Sequence, residues 1–325
     1  SGAAPCALLA GSTSYLPRTV LGLYHDKTDN TPQFSSIHKL AQMPLNHLGL
    51  KIAFHNMATG LPKLDRADDI IGVLSWYESG TQLEQPMEYL KWLSRVVRSG
   101  KKVVIMGDPG FISDSKERPV ATAHINRFFK QLGFRYLDEW INYTYDLEIV
   151  HKTQGMVEFE RKYKGSAPPY LRMISISPGV RSHLVVRKAS QQNSESHIIM
   201  TSPSGAYVAD GYAIFKKSTA LKEIKSWYIN PFEFFRGAFD TDRLPKPDTT
   251  TLAGRRIYYS HIDGDGWLNI SLTEQYKKEK RLSSDIIRRE IIAVFPDMPV
   301  TVTAVAAEID PDWSGSDESR SVAKK

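Results

Sequence analysis

The chain has 325 residues, of which 41% are hydrophobic, 24% charged and 10% aromatic; that length suits about two domains, and the mix excludes collagen, a low-complexity polymer and a mostly disordered chain. A single cysteine, Cys6, excludes an internal disulfide framework and any multi-cysteine zinc site. Lys and Arg outnumber Asp and Glu by 42 to 36, a balance compatible with a nucleic-acid or anionic-glycan partner and also with an ordinary solvated surface. No apolar run approaches the ~18 residues of a membrane span. The stretch Ser1 to Gly11 is mildly apolar but lacks an initiator Met and a basic flank, so the chain reads as a processed or excised piece.

From Arg18 onward apolar strands alternate with amphipathic helices. Strands are predicted at Arg18–Tyr24, Lys51–His55, Asp68–Tyr77 and Lys101–Met106. Helices are predicted at Ser36–Leu48, Gln85–Ser99 and Val120–Leu132, the last two stopped by Gly100 and Gly133. Alternation of this kind means crossover units and a parallel sheet. The first ~150 residues therefore read as a doubly wound α/β domain, flavodoxin-like in outline.

The texture changes after Met156. Short β-branched runs at Tyr170–Ile176, His183–Arg187, His197–Thr201 and Tyr207–Lys217 are punctuated by Ser-Pro-Gly at 177–179 and Ser-Pro-Ser-Gly at 202–205. They are expected to be mostly antiparallel strands extending or capping the sheet. Asn230 and Pro231 cap a short aromatic helix, Phe232–Phe239. The Pro/Thr-rich stretch 243–252 is the expected linker. Beyond it, Arg255–Ser260 reads as a strand and Ser283–Phe295 as a helix with Ile286, Ile287, Ile291 and Val294 inward. Pro299–Ile309 reads as a second buried strand, which completes one βαβ unit. At the end, Ser316 or Asp317 caps a helix that is only beginning.

His261-Ile-Asp263-Gly-Asp265-Gly266 is the loop at the carboxyl end of the strand after the linker. It sets two carboxylates two residues apart, with two glycines that free the backbone. That spacing can aim one carboxylate at a metal and leave the other for proton transfer. A metal there lowers the pKa of a bound water and polarises a carbonyl, and Asp263 then takes the water's proton. Taken alone, Asp-x-Asp is equally the pattern of a solvated turn, a calcium loop or a nucleotide-sugar site, and the spacing leaves all of these open.

The longer string narrows the choice. Gly254-Arg-Arg-Ile-Tyr-Tyr-Ser-His-Ile-Asp-Gly-Asp-Gly-Trp-Leu-Asn269 resembles the first metal motif of PelA-type exopolysaccharide deacetylases, relatives of the NodB-like polysaccharide deacetylases. The resemblance reaches back through Asn230-Pro-Phe-Glu-Phe-Phe235 and forward to Glu308-Ile-Asp-Pro-Asp-Trp313, and the α/β domain ahead of it is similar to the one that family carries there. It covers residues 18 to 325. By that resemblance Asp263 would be the general base and Asp265 a metal ligand. The metal would be a divalent ion, commonly zinc, whose water attacks the acetyl carbonyl of an N-acetylated sugar, here N-acetylgalactosamine in a Pel-like polymer. The wider NodB pattern has two adjacent Asp residues, so Gly264 is a departure that weakens the two-role assignment.

A larger departure concerns histidine. The family completes its site with His-x-x-x-His downstream of this motif. Here His261 is the only histidine at or after it, and the other eight lie at or before position 197 without that spacing. Catalytic zinc sites use about three protein ligands. The chain by itself is therefore expected not to be a competent deacetylase.

On this reading residues 1–17 are a poorly structured segment and 18–242 the flavodoxin-like domain with its β-rich extension. Residues 243–252 are the linker, and 253–325 the first part of a deacetylase-like (β/α) barrel. The parent protein would act in the periplasm on an N-acetylated polysaccharide, in exopolysaccharide and biofilm-matrix biosynthesis. A periplasmic secretion partner would fit, with no nucleic acid and no membrane span. The alternative is a non-catalytic glycan- or partner-binding module of an exopolysaccharide export system. A glycosyltransferase using Asp-Gly-Asp to hold a metal and a nucleotide diphosphate is the outsider.

Other features are weaker. Trp76-Tyr-Glu78, Asp108-Pro-Gly-Phe111 and His25-Asp26 fall at strand ends, where doubly wound folds bind ligands. They line a glycan cleft or serve as ordinary loop and packing residues. A glutamine amidotransferase needs a nucleophilic cysteine at a strand-to-helix elbow, and Cys6 precedes the first strand. No dinucleotide fingerprint, P-loop or Gly-x-Ser-x-Gly occurs. Asp310-Pro-Asp312 reads as a second acidic loop or a helix-entry turn. Lys277-Lys-Glu-Lys-Arg281 reads as a solvated face or, less simply, an anionic-polymer contact.

Overall fold

The structure is a computed structural model and describes residues 16–29, 31–63, 67–142, 144–163, 167–218, 223–246 and 259–324. The expected N-terminal segment up to position 15, Cys6, the linker from position 247 and the first part of the strand expected at 255–260 lie outside the described residues. Two compact units divide the chain, residues 1–247 and 248–325.

The first unit is mixed α/β. In chain order it contains β1 (Thr19–Tyr24), α1 (Asp26–Asp29), α2 (Gln42–His47), β2 (Lys51–Asn56), β3 (Ile70–Tyr77), α3 (Pro86–Arg98), β4 (Lys102–Gly107) and α4 (Thr122–Leu132). Then come β5 (Phe134–Ile141), β6 (Leu147–Lys152), β7 (Tyr170–Ser175), β8 (Arg181–Lys188), β9 (Gln191–Ser202), β10 (Gly205–Val208), β11 (Ile214–Ser218), β12 (Glu223–Trp227) and α5 (Pro231–Phe239). A π-helical turn, Ile37–Ala41, leads into α2.

One eight-stranded sheet has the order β2-β1-β3-β4-β10-β9-β8-β6. The pairs from β2 to β10 are parallel and those from β10 to β6 antiparallel. β5 and β7 form a separate antiparallel pair, as do β11 and β12. Val103, Val104, Ile105 and Met106 of β4 are all buried. Successive strand side chains point to opposite faces, so both faces of the sheet are covered there. α3 packs with α4, and α2 packs with α5.

Local chemistry explains the helices. α3 starts at Pro86, whose missing N–H costs nothing at a first turn, and buries Tyr89, Leu90, Trp92, Leu93 and Val96. Its Trp92 Nε1 donates to the Pro62 carbonyl at 3.0 Å. α4 ends at Gly133 in the left-handed region. α5 is capped by the Asn230 side chain, which accepts from the Phe232 and Glu233 N–H groups at 3.1 and 3.2 Å.

Several sequence expectations need correction. The run Tyr207–Lys217 is not one strand: Asp210 and Gly211 break it, β10 joins the main sheet, and β11 pairs with β12. β10 pairs parallel with β4 and antiparallel with β9, and β9, β8 and β6 continue the antiparallel part. β5 and β6 were not anticipated. In β5, Asp138 has φ of 58° and the register shifts between Tyr136 and Trp140, which breaks the alternation that marks a strand.

The second unit holds β13 (Ser260–Ile262), α6 (Glu274–Lys277), α7 (Ser283–Ile287), β14 (Val300–Val302), α8 (Ala306–Ile309) and α9 (Asp317–Ala323). β13 and β14 pair in parallel, and Ser316 caps α9 in a reciprocal box with Ser319. Two further expectations fail here. Ile291 and Val294 do not face inward and are 38% and 55% exposed. After α7 the chain takes a π-helical turn, Arg288–Ile292, which puts the apolar stripe out of phase. Pro299–Ile309 is not one buried strand either: β14 ends at Val302, and the alanines at 306 and 307 favour a helical turn. Among the described residues no helix is long and apolar enough to cross a membrane.

Candidate functional site

The Asp-Gly-Asp loop leaves the carboxyl end of β13. Thr303, directly after β14, fixes the loop's backbone: its N–H and hydroxyl both donate to the Ile262 carbonyl at 3.0 Å. Gly264 is buried against this neighbour, and a Cβ on it would stand 2.9 Å from the Thr303 carbonyl oxygen. Gly266 follows at φ 72°, in the region that favours glycine.

Asp263 and Asp265 both line a cavity of about 670 Å³, together with Trp267, Asp285, Arg288 and Arg289. Both motif carboxylates are exposed. Asp285 contacts Arg288 at 3.1 Å and Arg289 at 2.9 Å. Desolvation opposes its ionisation, but the two guanidiniums prevail and hold the carboxyl below its usual value. Trp267 Nε1 donates to Glu308 at 3.2 Å, which ties the loop to α8.

The two Asp residues fall short of a metal centre. Among the described residues no group of three or more His, Cys, Asp or Glu side chains is placed to hold a metal. Catalytic zinc takes about three protein ligands, so the residues present do not fit a complete zinc site. His261 is exposed on β13 and completes no such set. The Asp310 carboxylate caps a turn, accepting from the Asp312 N–H at 3.1 Å and from Arg320 at 3.2 Å.

A second cavity, about 480 Å³, opens in the first unit at the carboxyl ends of β3, β4 and β10. Trp76, Phe215 and Tyr228 give it apolar walls, and Glu78, Asp210 and Lys216 give it charge. Gly107 lets β4 turn here: at φ 74°, a Cβ would meet the Tyr77 carbonyl oxygen at 2.2 Å. Asp108, just behind, accepts from the Gly80 N–H at 2.9 Å and the Gly110 N–H at 2.8 Å. Burial raises its carboxyl above the usual value despite those bonds. Asp210 is raised by burial first and by the Asp108 charge next. Asp29 is likewise raised by burial, with Glu78 adding to it.

The sequence pointed to only part of this cleft. Trp76 and Glu78 do line it. Phe111 does not: it is fully buried among Tyr89, Phe128 and Phe129. His25 is buried too, with its Nδ1 accepting from the Lys27 N–H at 3.2 Å. Asp210, Phe215, Lys216 and Tyr228 were missed. The signal that could have found them is the Asp210-Gly211 step, a turn pair inside an apolar run.

No protein-family model and no curated protein matches the chain. Among solved structures, a cold-adapted β-galactosidase from Rahnella sp. R3 aligns at a TM-score of 0.41 and 12% identity, over 70% of this chain and 32% of that one. A glutamine amidotransferase from Thermotoga maritima aligns at 0.31 and 8%, over 60% of this chain and 75% of that one. The chain thus spans about a third of the β-galactosidase's length. At these scores neither likeness carries an argument about fold or function.

Proposed function

We propose that the chain is part of a metal-dependent polysaccharide deacetylase acting on an N-acetylated hexosamine polymer in exopolysaccharide and biofilm-matrix biosynthesis, in the periplasm. The first unit is then a flavodoxin-like domain with a β-rich extension. The second is the opening of a (β/α) barrel of PelA-like type. Supporting the reading most directly, Asp263 and Asp265 share one cavity at the carboxyl end of a parallel strand pair, the position where α/β barrels carry their chemistry. Asp263 takes the part of general base and Asp265 that of ligand to a divalent metal, zinc first. The described residues do not supply the remaining ligands, so the chain alone is proposed to be inactive.

The test is acetate release from N-acetylhexosamine oligomers by the longer parent protein, with zinc affinity measured by calorimetry. Asp263→Asn should abolish turnover and keep zinc. Asp265→Asn should lose zinc. A parent protein that deacetylates equally well as Asp263→Asn overturns the reading, and deacetylation by the 325-residue chain alone overturns its inactivity. The aromatic and acidic cleft of the first unit supports the second reading, a glycan-binding module.

A further inference from the structure

The cleft at the carboxyl ends of β3, β4 and β10 combines two properties that few ligands satisfy together. Its walls are aromatic, from Trp76, Phe215 and Tyr228, and its volume of about 480 Å³ lies within the ~300–1,000 Å³ typical of small-ligand sites. Its lining carries two carboxylates and one cation on a chain whose net charge is +6, and the Arg161 guanidinium lies over the Phe215 ring, 3.7 Å from its centroid. Glu78 and Asp210 line it, with Asp29 close enough to feel Glu78, and Asp108 close enough to act on Asp210. Among the lining residues Lys216 is the one cation, and its Nζ is held by Glu78 at 3.1 Å. The Asp210 carboxylate takes a hydrogen bond from the Gly211 N–H, and the like charges of Asp108 and Glu78 oppose the attraction of Lys216.

Position supports a binding role. The chain runs from β1 to the sheet edge at β2 and returns to β3 on the other side of β1. Ligands of open α/β sheets bind outside the carboxyl ends of the strands, and this cleft lies beside the reversal, at the ends of β3, β4 and β10. Ser36, from the connection after β1, and Trp76 to Ser79, at the end of β3, face the same cavity.

We propose that this cleft is a subsite for a hexosamine unit bearing a free ammonium group. The sugar's apolar face would lie on the aromatic wall and its ammonium would face Asp210 and Glu78. A neutral N-acetylated sugar offers the same apolar face without the charge, and an acidic sugar is repelled. The proposal rests on the deacetylase reading in one respect: the polymer leaving such an enzyme carries this ammonium group. The cleft would then hold the product strand, away from the acetylated substrate.

The test uses the whole 325-residue chain, titrated by calorimetry with a glucosamine tetramer and with its fully N-acetylated counterpart. The amine oligomer should bind at least about tenfold more tightly, which corresponds to ~1.4 kcal/mol. Asp210→Asn should remove about tenfold from the amine oligomer and leave the acetylated one unchanged. Lys216→Gln, on a side chain 45% exposed, should strengthen amine binding by freeing Glu78. Circular dichroism confirms that each variant is folded. Equal affinity for the two oligomers overturns the proposal, as does no binding of either. Amine binding that Asp210→Asn leaves intact also overturns it, because the charge then acts elsewhere. These outcomes are independent of acetate release. A parent protein that deacetylates while this chain ignores the amine oligomer removes only the cleft proposal, whereas amine selectivity without deacetylation removes only the enzyme reading.

Discussion

Gly205→Ala should cost the first unit about 4 kcal/mol. Gly205 opens β10 at φ 151°, and a Cβ there would stand 1.8 Å from the Val103 carbonyl oxygen and 2.9 Å from the Val103 nitrogen. Both atoms belong to the backbone of β4, so no rotamer change relieves the contact. The strands must part along the register from Gly205↔Val103 to Val208↔Met106. Two or so backbone hydrogen bonds are lost at ~1 kcal/mol each. Displacing the buried Ala206, Tyr207 and Val208 adds the ~1–3 kcal/mol of an overpacked core. The sum is exceptional for one substitution and large against a domain stability of ~5–15 kcal/mol. Gly237→Ala is the control: it lies exposed in α5 with no neighbour within 4 Å, and should gain ~0.5–1 kcal/mol from helix propensity. Urea unfolding followed by tryptophan fluorescence and far-ultraviolet circular dichroism measures both. Gly205→Ala within about 1 kcal/mol of the parent would refute the reasoning. Since β10 leads to Asp210 in the cleft, the variant should also lose the amine binding proposed for the 325-residue chain.

Acid should destabilise the first unit through His183. Burial first, and then the charges of Arg181 and His151, push this imidazole from 6.5 down to about 4, while its Nε2 sits 2.8 Å from the Thr201 hydroxyl. The unfolded chain takes up a proton near 6.5 and the folded chain only near 4, so stability is intact above the first value and falls as pH drops toward the second. At ~1.36 kcal/mol per unit the loss reaches about 3 kcal/mol. Urea midpoints at pH 7 and 4.5 should differ less in His183→Gln, and an identical difference would exclude His183 as the source. Asn230→Ala should cost about 1 kcal/mol through the lost cap on α5, with Asn230→Asp recovering most of it; equal urea midpoints for Asn230 and Ala would show that the cap contributes nothing.

Much of the parallel part of the sheet was legible because its strands are continuous apolar runs. Buried on both faces, β1, β3 and β4 read as such from composition alone. α5 was legible for a different reason: Asn230-Pro231 is a cap followed by a proline that starts a helix. What escaped depends on distant partners. β10 has four residues, and its parallel direction is decided by β4, about a hundred positions earlier. The cleft escaped for the same reason, since Glu78 and Lys216 meet across 138 residues of sequence. In the second unit the helical period pointed to Ile291 and Val294 as core, but the π-helical turn at Arg288–Ile292 interrupts that period.

The Asp-Gly-Asp spacing has its own geometric logic. In extended backbone, neighbouring side chains diverge to opposite sides and residues two apart return to the same side. Here the middle position turns toward the segment that follows β14, where a Cβ would approach the Thr303 carbonyl oxygen at 2.9 Å and the Ala304 Cα at 3.1 Å. Only a residue without a side chain fits that approach comfortably. The flanking residues, Asp263 and Asp265, then both reach the one cavity. With Gly264 between them, the two carboxylates face one volume. The segment that crowds Gly264 directly follows β14, the parallel partner of β13.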